Sequence, residues 1–370
     1  MFKPNKIKLS LFLVVLSVAI YISFYCFQTQ PAFWFDEGIF FQVVKNWALN
    51  NQLGVPLSPD SSSDLSLISM GYPVLAPAVS VFKIFGPSLV ALRIVAISFL
   101  IGLIAVAFFL AKRLYGYWAA LGIIFLLSVF SPLYGNGKSF LGEVPGLFFF
   151  SSALLMLLML EKAKEKKIIL GFLSGVLFGF AISAKPLYIL IAPALLLAII
   201  WRWRIFLAEK NGRWNIVAVF LGLISAVMIW VWTQFGVSAS STRVLAHYAN
   251  PYYLNEFLPT ILSNLRRFFS ESTPIFFLFQ LLLASYYFVY KLRKRENIAA
   301  AEVATFIFVS LVVAAYMRTV GWYRYFFPGQ VMIFLFTIPG IMTLGKDLAG
   351  ARKAAYLFAP IAVFALFLLE

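Results

Sequence analysis

The chain has 370 residues, of which 62% are hydrophobic, 18% aromatic and 12% charged, with a net charge of +16. Apolar runs approach the span length of about 20 residues and no strand-like alternation is present, which excludes a soluble globular domain and a β-barrel. What remains is an all-α polytopic membrane protein, whose charge reads as topology and attraction to membrane lipids rather than to nucleic acid.

A single cysteine, Cys26, excludes an internal disulfide, and a single histidine, His247, excludes a multi-histidine metal site. Lys3, Lys6 and Lys8 precede the first apolar segment, Leu9 to Phe27, which predicts a retained anchor with a cytoplasmic N-terminus. Residues 28–88 then form a first extracytoplasmic loop. It opens on Phe33-Trp34-Phe35-Asp36-Glu37-Gly38-Ile39-Phe40-Phe41, two carboxylates among aromatics. Carboxylates at a bilayer surface are costly to desolvate, so a paired acid calls for an explanation. Asp36 reads either as the N-cap of an interfacial amphipathic helix, with Glu37 in its first turn, or as a functional group held at the membrane surface. Tyr72 to Phe85 is predicted as a second interfacial helix, closed by Gly86-Pro87.

Further spans follow at about 89–111 and 117–134, and a fourth opens at Glu143. In the fifth, Ile168 to Ala184, the four-residue repeat Gly171, Gly175, Gly179, Ser183 predicts a close-packing strip ended by Lys185-Pro186. Spans at about 187–201 and 215–235 precede a second large loop, 236–272, carrying Arg243, His247, Arg266 and Arg267. The last spans lie at about 273–290, 298–317 and 326–345, with one more to the C-terminus, for about 11 transmembrane helices in a single domain, 1–370.

About two thirds of the lysines and arginines fall on the segments this alternation places inside. Arg93, Lys185, Arg318 and Arg324 are among the remainder and sit at span ends, on the same side as Asp36, Glu37 and Glu143. Such cations near membrane depth need anionic partners. Either they pair with the carboxylates to orient helices, or they bind an anionic substrate. A lipid-linked phosphate would use every part of such a face: an apolar body for the tail, cations for the phosphate, aromatics for a sugar, and a carboxylate to take a proton from a hydroxyl. The candidate catalytic residues are therefore Asp36, Glu37 and Glu143. The candidate substrate-binding residues are Arg93, Lys185, Arg318, Arg324, Tyr325 and His247.

The chain resembles the GT-C membrane glycosyltransferases of the protein mannosyltransferase and aminoarabinose-transferase-like group. The resemblance rests on Asp36-Glu37, Phe85-Gly86-Pro87-Ser88-Leu89-Val90-Ala91-Leu92-Arg93, Lys112-Arg113-Leu114-Tyr115-Gly116, Gly142-Glu143, the run Gly175 to Lys185-Pro186, and Arg324-Tyr325-Phe326-Phe327-Pro328. It implies a polyprenyl-phosphate sugar donor and inverting transfer on the extracytoplasmic face of the plasma (inner) membrane. It also implies Asp36 as base, Glu143 as a second acidic site residue, and Lys185 and Arg324 as phosphate contacts. Glu143 stands where aspartate is commoner, and Gly71-Tyr72-Pro73-Val74-Leu75-Ala76-Pro77 departs from the family's His/Lys-Pro-Pro stretch. The acceptor, whether lipid, glycan or protein, is not specified.

The rival reading is a transporter or flippase of a lipid-linked or anionic solute, which would place ionisable groups near the bilayer midplane. No cofactor is expected. Mg2+ or Mn2+ held by Asp36, Glu37 and Glu143 is the alternative to metal-independent transfer.

Overall fold

The computed structural model describes residues 6–58, 61–62, 68–163, 167–203, 206, 212–236 and 257–349. Helix α1 (Lys6–Phe24) leads into α2 (Phe35–Asn50), a short hairpin of β1 (Pro56–Ser58) and β2 (Ser61–Ser62), and α3 (Tyr72–Phe85). The body is built from α4 (Leu89–Tyr115), α5 (Tyr117–Val129), α6 (Ser131–Lys138), α7 (Glu143–Lys162) and α8 (Lys167–Ala184). A 3-10 turn (Pro186–Leu190) joins α8 to α9 (Ile191–Trp201). Then come α10 (Gly212–Phe235), α11 (Phe257–Ser270), α12 (Ser272–Arg293), α13 (Ala300–Tyr316) and α14 (Tyr323–Ala349).

Seven of these, α1, α4, α7, α8, α10, α12 and α14, are long and apolar enough to cross a membrane. The expected third span is instead the pair α5 and α6, bent by 66°. Pro132 lies in the first turn of α6, where its missing N–H costs nothing but where it cannot continue a helix from α5. The expected sixth and ninth spans are shorter apolar helices, Pro186–Trp201 and Ala300–Tyr316. Pro186 again explains the sixth, since it starts a 3-10 turn after Lys185. The expected last span lies outside the described residues. The predicted interfacial helix Tyr72–Phe85 is α3, with the same ends.

Two rows of helices make the bundle. In one, α10, α8, α7, α4 and α5 pack in succession; in the other, α9, α13, α14 and α12 do so, and α7 and α5 face α13 and α14 across the middle. The predicted glycine strip joins α8 to α10. A Cβ on Gly175 would lie 1.9 Å from the Val219 carbonyl oxygen, and one on Gly222 would lie 2.2 Å from that of Phe172. The two backbones touch, so neither position has room for a side chain.

The direction of α7 separates the two ends of the bundle. Its 20 residues rise about 30 Å, the thickness of a hydrocarbon core. At its C-terminal end Glu161 pairs with Arg202 at 3.5 Å and accepts from the Ala300 N–H at 3.0 Å. Nearby, Glu302 accepts from the Tyr287 hydroxyl at 2.5 Å and pairs with Lys291 at 3.1 Å. Backbone groups at the start of α13 and side chains from α7, α9 and α12 thus close that end. The N-terminal end of α7, at Glu143, is arranged differently.

Candidate active site

Glu37 and Arg93 set the frame. Arg93 is buried in the first turn of α4, a helix whose N-cap Ser88 accepts from the Ala91 N–H at 3.1 Å. Its Nε and Nη2 donate to the two oxygens of Glu37 at 2.9 and 2.7 Å. Nη1 donates to the Phe27 carbonyl at 2.8 Å and Nη2 also to that of Pro31 at 3.0 Å. Glu37 further accepts from the Phe140 N–H at 3.1 Å. Every guanidinium nitrogen and both carboxylate oxygens are engaged, and both side chains are buried. This pair ties the start of α2 and the loop after α1 onto α4. Glu37 and Arg93, for which the sequence suggests catalytic and substrate contacts, are here engaged with each other and with the backbone around them.

Asp36 faces elsewhere. The N-cap position of α2 is Trp34 and no side chain caps it, so Asp36 stands inside the first turn rather than at the cap. Successive residues on a helix diverge by about 100°, so Asp36 and Glu37 meet different partners. Asp36 Oδ2 accepts from Arg324 Nη1 at 2.5 Å, across 288 positions of sequence. Arg324 Nε lies 3.6 Å from Glu143 Oε1, and the same oxygen lies 3.2 Å from Lys185 Nζ. Lys185 Nζ also donates to Ser69 Oγ at 3.0 Å. Asp36, Arg324, Glu143 and Lys185 thus form one row of alternating charge drawn from α2, α14, α7 and the end of α8.

The row is graded in exposure. Glu143 is 1% and Lys185 6% exposed, whereas Arg324 is 17% and Asp36 25% exposed. Its inner half is closed and its outer half can be reached. Gly142 makes the closed half possible: a Cβ there would lie 2.3 Å from the Ala184 carbonyl oxygen and 3.3 Å from the Lys185 side chain. Tyr188 fixes the start of α7 through a 2.5 Å hydrogen bond from its hydroxyl to the Glu143 carbonyl. Burial holds the Lys185 ammonium below the ordinary lysine range; Glu143 opposes this and Arg324 adds to it.

Tyr325 lies beside the row, its ring 5.5 Å from the Arg324 guanidinium carbon and stacked with Trp322 at 6.1 Å. Arg318 does not join it: exposed, it sits 5.2 Å over the ring of Phe257. His247 and Arg243 lie outside the described residues. Among the described residues no three His, Cys, Asp or Glu side chains gather to hold a metal ion. Arg324 contacts both Asp36 and Glu143, and Glu37 is taken up by Arg93.

Sequence reasoning missed Ser69, Tyr188 and the helix at Phe257–Ser270, which it placed in a loop. The helix had a signal in the spacing of Leu258, Leu262, Leu265 and Phe269, all exposed apolar residues on one stripe. Ser69 and Tyr188 had none.

The matched part of the sequence and the arrangement of helices agree on a class. The family model for dolichyl-phosphate-mannose-protein mannosyltransferases matches residues 76–230, a stretch holding Arg93, Glu143 and Lys185. The oligosaccharyltransferase of Archaeoglobus fulgidus in its apo form superposes with a TM-score of 0.66 at 12% identity, covering 99% of this chain and 56% of that one. ArnT from Cupriavidus metallidurans bound to undecaprenyl phosphate superposes with a TM-score of 0.62 at 13% identity, covering 91% and 62%. The fold is that of the GT-C glycosyltransferases. The Archaeoglobus fulgidus enzyme AglB in complex with an inhibitory peptide and a dolichol-phosphate gives a TM-score of 0.60 at 13% identity, covering 97% of this chain and 54% of that one. The chain therefore spans little more than half the length of these GT-C proteins. No curated protein matches it in sequence.

Proposed function

We propose that this protein transfers a sugar from a polyprenyl-phosphate donor to an acceptor hydroxyl on the extracytoplasmic face of the plasma (inner) membrane, with inversion at the anomeric carbon. The observation that carries the reading is the row Asp36, Arg324, Glu143, Lys185, half closed and half open at one end of an apolar bundle. The donors named for similar folds, undecaprenyl and dolichol phosphates, suit such a bundle.

In this reading Arg324, with Lys185 behind it, receives the donor phosphate. An acceptor hydroxyl attacks the anomeric carbon, the bond from that carbon to the phosphate oxygen breaks, and polyprenyl phosphate leaves with the electron pair. Asp36 takes the hydroxyl proton. Phosphate is already a good leaving group, so charge stabilisation by the two cations suffices where a strong acid would otherwise be required. The same two cations serve the role a metal ion would otherwise fill. Glu143 keeps Lys185 and Arg324 charged and in place, and Tyr325 offers a ring face for the sugar. Membrane orientation follows from the distribution of lysine and arginine, which puts the row outside.

Purified protein in nanodiscs, incubated with radiolabelled polyprenyl-phosphate hexoses and pentoses and with lipid, glycan and peptide acceptors, tests this. Label transfer with stoichiometric release of polyprenyl phosphate is expected. Movement of the intact donor between leaflets without release would favour a flippase. A cysteine placed at Ser62 and labelled only from the cytoplasmic side would overturn the orientation.

A further inference from the structure

Arg324 is the second residue of α14; Asp36 and Glu143 meet its side chain, and the turn that starts its helix is held from upstream. The six residues after Tyr316 turn the chain from α13 into α14. The end of a helix leaves carbonyls without partners. The following backbone meets some of them, Arg318 N–H donating to the Ala315 carbonyl and Thr319 N–H to that of Tyr316, both at 3.0 Å. One buried side chain adds to this and holds the turn: Asn264, 2% exposed on α11, donates through Nδ2 to the carbonyls of Tyr316, Met317 and Thr319 at 3.2, 3.3 and 2.8 Å. One turn along α11, Arg267 donates to the Gly321 carbonyl at 2.8 Å, which the Tyr316 hydroxyl also reaches at 3.1 Å. Gly321 has φ +77°, and a Cβ on it would lie 2.4 Å from Asn264 Oδ1. Phe268, next to Arg267, packs on Phe277, Tyr316 and Phe326.

We infer that Asn264 is a positioning residue for the donor phosphate: by holding the carbonyls from Tyr316 to Thr319 it sets where α14 begins and so where Arg324 reaches. This rests on the donor reading given above. The contact is local and specific. Two residues separate Gly321 from Arg324, and α14 starts at Tyr323, so a change in the turn is carried into the start of the helix that bears the guanidinium. The other side of α11 carries the exposed stripe Leu258, Leu262, Leu265 and Phe269. A stripe of this kind suits a membrane interface.

The test is binding of undecaprenyl phosphate to the full chain in nanodiscs, read by native mass spectrometry, in wild type, Asn264→Ala, Arg324→Ala and the double variant. Loss of Asn264 is expected to weaken binding about threefold to tenfold, a fraction of what removing a charge-assisted contact does. The same substitution in the Arg324→Ala background is expected to change nothing further, because residues that act through one contact are not additive. Arg267→Gln, at a half-exposed position, is the milder variant should Asn264→Ala not fold, and the same non-additivity is expected of it. Equal losses with and without Arg324, or no loss in either variant, would overturn the inference alone. No binding by the wild type would overturn the donor reading and this role with it.

Discussion

Arg324 and Asp36 stand 2.5 Å apart although 288 positions separate them in the chain. The proposed phosphate ligand and the proposed base therefore form an ion pair with each other. Asp36→Asn removes one partner and leaves the other open. Transfer is expected to fall about 10²- to 10⁴-fold, the usual effect of losing a general base. Binding of undecaprenyl phosphate is expected to persist and to tighten severalfold, because Arg324 no longer competes with a carboxylate. Turnover within about threefold of wild type would move the base elsewhere.

Lys185→Ala and Arg324→Ala should each weaken donor binding by about tenfold to a hundredfold, the range for a charge-assisted contact. Lys112→Ala, in an exposed position at the other end of α4, is the control and should leave binding unchanged. Lys138 is a poor control: it is buried and donates to the Tyr25 carbonyl at 2.8 Å, so Lys138→Ala should reduce thermal stability and leave donor affinity alone.

Glu37→Gln and Arg93→Ala are expected to act on stability. Removing one partner of a buried ion pair typically costs about 3–5 kcal/mol, because the other charge is left uncompensated. Thermal unfolding in detergent should show a large drop for Arg93→Ala and a smaller one for Asp36→Asn. Equal drops for both would mean that Asp36 supports the fold as much as Arg93 does.

Lys185 gives a pH signature. Burial lowers its pKa, so its positive charge is present at low pH and is lost as pH rises through a value below the ordinary lysine range. Donor affinity in wild type should therefore fall on the alkaline side. Lys185→Arg, which stays protonated throughout, should hold its affinity to higher pH. Parallel profiles for the two proteins would remove Lys185 from the phosphate site.

Much of this was legible in order along the chain. Apolar runs of span length, the prolines and glycines that end them, and the strip from Gly171 to Ser183 depend on local chemistry, and they reappear as helices and as the α8–α10 contact. The bend between α5 and α6 and the short helices after Lys185 and Ala299 are where span counting by hydropathy alone ran ahead, since hydropathy measures apolar length and not continuity of the helix. The sequence by itself also supplied the charged residues and the side of the bundle on which they gather. It could not assign their partners. Asp36 and Glu37 are neighbours with the same chemistry, yet one meets Arg324 at a reachable edge and the other is closed in by Arg93, because adjacent helix positions point about 100° apart. Which cation waits in each direction is set by helices packed from distant parts of the chain. The same holds for Asn264, an ordinary polar residue until folding brings three carbonyls to its amide. Composition and periodicity are local properties and decide which helices form; pairing of charges across 50 to 290 positions is a property of packing, and only the tertiary structure decides it.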